Sequence, residues 1–206
     1  MQSAAFDAIR RFTRPRAPLE RCDLCGLALG AGHEHLLEPA ARRLVCACGA
    51  CAVLFSGQAD TRFKRVPRRV RALNDFRLTE AQWEGLRLPI DLAFFFDSTP
   101  HGRTIACYPS PAGATESLLD LETWDEIRRE NPVLESLAPD VEALLVNRVR
   151  RGGTAAAPAH FLVPIDQCFR LVGLIRSHWR GFTGGSVVWE EIDRFFADLG
   201  GMPCRT

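Results

Sequence analysis

Residues 21–55, RCDLCGLALGAGHEHLLEPAARRLVCACGACAVLF, hold five of the chain's eight cysteines. Cys22 and Cys25 form one Cys-x-x-Cys pair, and Cys48 and Cys51 form a second, with Cys46 just before it. A Cys-x-x-Cys turn aims two thiolates at one ion about 2.3 Å from each sulfur, and two such knuckles make a closed tetrahedral Cys₄ site of the structural zinc type. Gly26 follows the first pair and Gly49 lies inside the second, where a residue without Cβ can take the positive φ that turns backbone N–H groups towards sulfur. Between the knuckles, Leu36 and Leu37, a turn at 38–40, and Leu44 and Val45 read as a zinc-ribbon hairpin.

The stretch offers more ligands than one zinc needs. Cys46, His33 and His35 are possible substitutes beside the four cysteines: Cys46 either replaces Cys48 or stays a free thiol, and the histidines are either ligands or a polar loop pair. Iron in a rubredoxin-like Cys₄ site has the same ligand set and is the alternative to zinc. Disulfides are the third reading of the cysteines, disfavoured because clustered thiols in a reducing compartment bind metal.

Outside this module the composition sets bounds. A chain of 206 residues with 47% apolar content can bury a core of its own beside a small metal module. A net charge of +1 predicts no bulk attraction to nucleic acid or to a membrane surface. No apolar run reaches the roughly 18 residues of a membrane span, and MQSAAFDAIRRF lacks the apolar core of a secretory signal, so a cytoplasmic protein without membrane insertion is expected.

The organisation read from the pattern is an N-terminal helix and linker over 1–20, the Cys₄ module over 21–56 and an α+β domain over 62–200. The first helix is placed at 3–12, and 56–58 reads as a linker. Next comes RFKRVPRRVRAL, in which Arg62, Lys64, Arg65, Arg68, Arg69 and Arg71 make a basic strip; Pro67 argues against a helix interior and for an edge strand or loop. A basic strip behind a zinc ribbon suggests nucleic acid, but aromatic residues are not interleaved with it, so a solvated face or a partner-docking strip is expected instead.

Thr79 is read as the N-cap of a short helix ending near Leu86. The apolar runs 88–96 and 104–108 read as a strand hairpin turning at 101–103, with Cys107 in the core. Residues 109–117, PSPAGATES, read as a loop without a phosphate-binding signature. A helix is expected over 121–129 with a further turn at 133–137, then a strand over 141–149, a flexible loop at 152–159 and a strand over 160–164. A helix follows over 165–179 with Asp166 at its positive end, then a last helix capped by Ser186. Trp179, Phe182 and Trp189 read as core. The sum is an α+β chain: a small zinc-ribbon or rubredoxin-like module, then a mixed α+β domain with a central, mainly antiparallel sheet.

No catalytic residues emerge. His160, Asp166 and Cys168 lie close in sequence, but HFLVPIDQC matches no signature that brings a base and an oxyanion hole to a thiol. A site closed by four thiolates leaves no position for substrate. Catalysis is therefore not the expected role.

The run CDLCG, HEHLLEP and CACGACAVLF, together with YPSPAGATES and FLVPIDQCFRLVGLIRSHWRGFTGG, resembles an uncharacterised bacterial, actinobacterial family encoded near nickel-iron hydrogenase genes. The resemblance spans nearly the whole chain. It implies a hydrogenase accessory or maturation factor, with metal on Cys22, Cys25, Cys48 and Cys51 and a protein partner that is a hydrogenase subunit or another maturation protein. Two alternatives remain open: a nucleic-acid binder using residues 62–71, and an iron-containing redox module.

Overall fold

The computed structural model describes residues 20–56, 61–149, 158–181 and 183–201. The helix expected at 3–12, Gly57 and Gln58 of the expected linker, residues 152–157 of the expected loop and Phe182 lie outside them.

The N-terminal module is a three-stranded antiparallel sheet with one helix. Strand β1 (Glu34–Glu38) pairs with β2 (Arg43–Ala47), His35 opposite Cys46 and Leu37 opposite Leu44. Pro39–Ala41 makes a single 3-10 turn between them, and Arg42 closes it in the left-handed region at φ 47°. Helix α1 (Gly49–Ser56) follows directly. The third strand, β3 (Lys64–Arg65), pairs with the free edge of β1. The basic strip thus starts on the small sheet and ends on the large one, where β4 (Arg71–Ala72) is the edge strand. Pro67 lies between the two short strands, where its missing N–H interrupts neither ladder.

The large sheet is antiparallel throughout, with spatial order β4-β9-β8-β5-β6-β7. Its strands are β5 (Leu92–Ser98), β6 (Arg103–Ser110), β7 (Gly113–Ser117), β8 (Glu142–Asn147) and β9 (Ala159–Pro164). Helices cover both faces. On one, Phe94, Phe96, Leu145 and Val163 pack against α4 (Ile165–His178) and α5 (Gly185–Gly201). On the other, Ala93, Phe95, Leu144 and Leu162 pack against α2 (Glu80–Gly85) and α3 (Leu121–Glu130). Burial on both sides explains why the LAFFF run of β5 is uniformly apolar rather than alternating. Each fully buried Phe or Leu there stabilises the fold by about 1.5–3 kcal/mol.

The caps follow the local chemistry. Thr79 accepts from the Gln82 N–H while the Gln82 side chain accepts from the Thr79 N–H, a complete capping box for α2. Asp120 caps α3 through the Thr123 N–H, and Asn131 ends it. Two expectations change. Residues 109–117 are not a loop: β6 runs on to Ser110, and a two-residue turn leads into β7, with Ser110 accepting from the Ala112 N–H and donating to the Gly113 carbonyl. Proline is tolerated because Pro111 lies in the turn itself and Pro109 next to the end of β6, near the edge of the sheet. Ser186 is not the cap of α5, which starts one residue earlier at Gly185 after Gly184 takes φ 85°. Gly49 does not adopt a positive φ; it opens α1.

Candidate metal centre

The first knuckle is a tight turn closed by its own backbone. Gly26 N–H donates to the Cys22 carbonyl and Cys22 N–H to that of Leu27, both at 2.8 Å, with Gly26 at φ 76°. Asp23 fastens the turn to β2: its N–H donates to the Cys46 carbonyl at 2.9 Å, and its carboxylate accepts from the Cys46 N–H at 2.7 Å. The second knuckle is made differently. Cys48 immediately precedes α1 and Cys51 lies in its first turn, so helical pitch brings residues three apart to one side. Cys51 N–H donates to Cys48 Sγ at 3.5 Å.

The sulfurs of Cys22, Cys25, Cys48 and Cys51 all lie within 4.8 Å of one another, with Cys25 and Cys48 at 3.8 Å. That separation is far beyond the roughly 2.05 Å of a disulfide, and none of the four is bridged. Cys22, Cys48 and Cys51 are buried with Leu36, Val45, Ala47, Ala52 and Phe63 in a small core of their own. Burial raises the Cys22 thiol, but N–H groups of Cys48, Leu24 and Cys25 and the Cys25 thiol more than offset it and bring it down to about 6. Cys51 is pushed up to about 12, by burial first and then by the three neighbouring sulfurs. Four thiolates cannot share this apolar pocket without a cation between them. The donor set fits a metal that prefers tetrahedral sulfur.

The other three candidate ligands form a separate group. His33, His35 and Cys46 offer atoms within 4.8 Å of one another. Strand alternation is the reason: Leu36, Val45 and Ala47 face the cysteine cluster, whereas Leu37 and Leu44 join the core of the large domain, and His35 and Cys46 share their side of the hairpin. Cys46 therefore points away from the four cysteines.

The basic strip is consumed within the molecule. Arg62 pairs with Glu38 at 2.5 Å, Lys64 with Asp140 at 2.6 Å, Arg65 with Glu34 at 3.0 Å and Arg69 with Glu142 at 2.7 Å. Arg68 binds Glu34 and the carbonyls of Gly32 and His33, and Arg71 binds the Ser136 hydroxyl. Asp140 and Glu142 are almost wholly buried, so these contacts tie the module to the α+β domain.

His160, Asp166 and Cys168 serve different surroundings. His160 packs against Phe76 with ring centroids 4.8 Å apart and the planes tilted by 33°. Cys168 is fully buried in the main core, and burial raises its thiol well above the ordinary range. Asp166 reaches across to the other module, where Oδ2 lies 2.7 Å from His35 Nδ1. That pairing spans 131 residues, and no local pattern signals it.

Fold and site together define a zinc-ribbon-like hairpin carrying a Cys₄ cluster, joined to an antiparallel α+β domain. The family model described as "Family of unknown function (DUF5947)" matches residues 21–202, and the chain belongs to that family. No curated protein and no solved structure matches it. Among the described residues, no helix is long and apolar enough to cross a membrane.

Proposed function

We propose that this is a non-enzymatic, cytoplasmic, zinc-binding accessory protein that acts through protein contacts in the assembly or function of a nickel-iron hydrogenase. The observation that carries the metal reading is the convergence of the Cys22, Cys25, Cys48 and Cys51 sulfurs within 4.8 Å of one another, with all but Cys25 buried. A set of four thiolates is complete for zinc and holds no place for substrate, which favours a structural ion. The hydrogenase context rests on the family resemblance carried by the cysteine knuckles, YPSPAGATES and FLVPIDQCFRLVGLIRSHWRGFTGG.

Exposed Val53, Leu54 and Phe55 on the helix that carries Cys51 support contact between the module and a hydrogenase subunit or maturation protein. The basic strip supports neither a partner nor nucleic acid well, since its charges already face carboxylates. Elemental analysis of protein purified without air, beside its visible spectrum, tests the metal: one colourless zinc at the Cys₄ cluster, lost in Cys22→Ser and Cys48→Ser, is expected. Iron with a visible band that bleaches on reduction makes the module a redox centre instead. Co-purification from a hydrogenase-producing host tests the partner, and failure to retain or affect any hydrogenase component refutes that part.

A further inference from the structure

The group formed by His33, His35 and Cys46 is not explained by the Cys₄ cluster. His33 Nδ1 lies 3.0 Å from the Gly30 carbonyl and 3.3 Å from the Glu20 carboxylate, both acceptors. His35 Nδ1 lies 2.7 Å from Asp166 Oδ2, another acceptor. Each Nδ1 therefore acts as the N–H donor, and Nε2 is the ring nitrogen that each histidine turns towards the other. Those two Nε2 atoms face each other at 3.1 Å. Two ring nitrogens at that distance share either a proton or a metal ion, and their separation suits two ligands on one tetrahedral ion.

The third member completes a coordination set. Cys46 stands directly opposite His35 in the β1/β2 register, and its sulfur lies within 4.8 Å of both imidazoles. Histidines that bind metal through Nε2 are held by a carboxylate or carbonyl on Nδ1, and here one histidine has each kind. Asp166 fits no stability role equally well: Oδ1 is buried without a hydrogen bond, so the carboxylate is only half satisfied and serves His35 alone.

We propose that His33 Nε2, His35 Nε2 and Cys46 Sγ form a second metal site, for a late first-row divalent ion, with Asp166 as its positioning carboxylate. Two imidazoles and one thiolate suit zinc, cobalt or nickel rather than calcium or magnesium. The site differs from the Cys₄ cluster in being open. It has three protein ligands, the His35 side chain is 31% exposed and Cys46 is partly exposed, so the fourth position faces solvent and takes water or an exchangeable ligand. The hairpin then carries a closed ion on one face and an accessible one on the other.

The test is a Co²⁺ titration of the reduced, metal-free full-length protein, read as equivalents bound per chain and by the X-ray absorption of the bound metal. The wild type is expected to bind two equivalents, one of them with nitrogen in its coordination shell. His33→Ala/His35→Ala and Cys46→Ser are each expected to bind one, with the all-sulfur spectrum retained. Asp166→Asn is expected to keep two equivalents while weakening the second by about tenfold to a hundredfold. A single equivalent in the wild type, unchanged in the histidine variants, overturns the second site, as does loss of the all-sulfur signal in Cys46→Ser. One equivalent that disappears in His33→Ala/His35→Ala supports this site and instead refutes the Cys₄ reading.

Discussion

The pair Lys64–Asp140 is where the metal module is fastened to the α+β domain, and replacing Asp140 by Asn measures that fastening. The Asp140 side chain is 3% exposed, and it accepts from Lys64 Nζ at 2.6 Å, from the Thr99 N–H at 2.8 Å and from the Thr99 hydroxyl at 2.6 Å. Its backbone sits at φ 71°, a region that Asn tolerates, so Asp140→Asn removes the charge without straining the chain. Asp140 accepts through both oxygens, Oδ1 from the Thr99 N–H and Oδ2 from Lys64 and the Thr99 hydroxyl, whereas Asn has one acceptor, so its NH₂ faces either the Thr99 N–H or Lys64 and one of those bonds is lost. Hydrogen bonds to charged groups are each worth about 1.5–3 kcal/mol, which sets the expected loss at about 2 kcal/mol. Lys64→Met leaves the aspartate buried with only its Thr99 donors, and uncompensated buried charges cost about 3–5 kcal/mol. Those two remaining bonds bring the expectation down to about 2–3 kcal/mol.

The double variant removes both partners, so the two losses are not expected to add. A coupling energy of about 1–2 kcal/mol is expected from urea unfolding followed by tryptophan fluorescence, with the Cys₄ cluster kept loaded throughout. All four tryptophans lie in the α+β domain, so the signal reports on that domain. Strict additivity, with coupling under about 0.5 kcal/mol, refutes the claim that this pair links the two modules.

Three further outcomes are expected. Burial, and behind it the Arg148 charge, lowers the His160 pKa from 6.5 to about 4; the unfolded chain thus binds more protons between those values, and stability present above about pH 6.5 is lost as pH falls to 4. After discounting for the partly open ring the loss is about 2 kcal/mol, and urea midpoints across that window should flatten in His160→Phe if the reasoning holds. Gly184→Ala should cost at least about 2 kcal/mol in the same assay, because φ is 85° and a Cβ there meets Val188 Cγ1 at 2.8 Å and the Trp179 ring at 3.1 Å. Titration with duplex DNA at low salt should show no binding that weakens steeply with salt, since the basic strip is already paired; a steep slope abolished in Arg65→Ala/Arg68→Ala would refute that account.

Much of the architecture was legible because local chemistry decided it. The Thr79 capping box, the β5/β6 hairpin and the helix beginning at Ile165 are each written in a few neighbouring residues. The strand nature of β7 was hidden because GATES has small and polar residues with no apolar alternation, and its burial is partial along the strand. The backbone of the second knuckle is not legible for a related reason. Glycine allows a positive φ without requiring it, and a helix start brings Cys48 and Cys51 together without one. The basic strip looked like a surface for partners because its acidic counterparts, Asp140 and Glu142, lie over seventy residues away. Charge counted along a sequence cannot register such pairs.

The same limit explains how seven candidate ligands divide between two sites. Proximity in sequence made Cys46, His33 and His35 look like spare ligands for one ion, but a strand sends neighbouring side chains to opposite faces. Cys48 lies beyond the end of β2, where the chain turns into α1, so it is free to face the first knuckle; Cys46, still within the ladder opposite His35, is not. Moving Cys46 into the Cys₄ cluster would require a one-residue register slip of β2, which would also drive Leu44 out of the main core and turn Val45 away from the small one. The apolar pattern of the hairpin therefore enforces the division. Each sulfur's role follows from the face on which core packing places it.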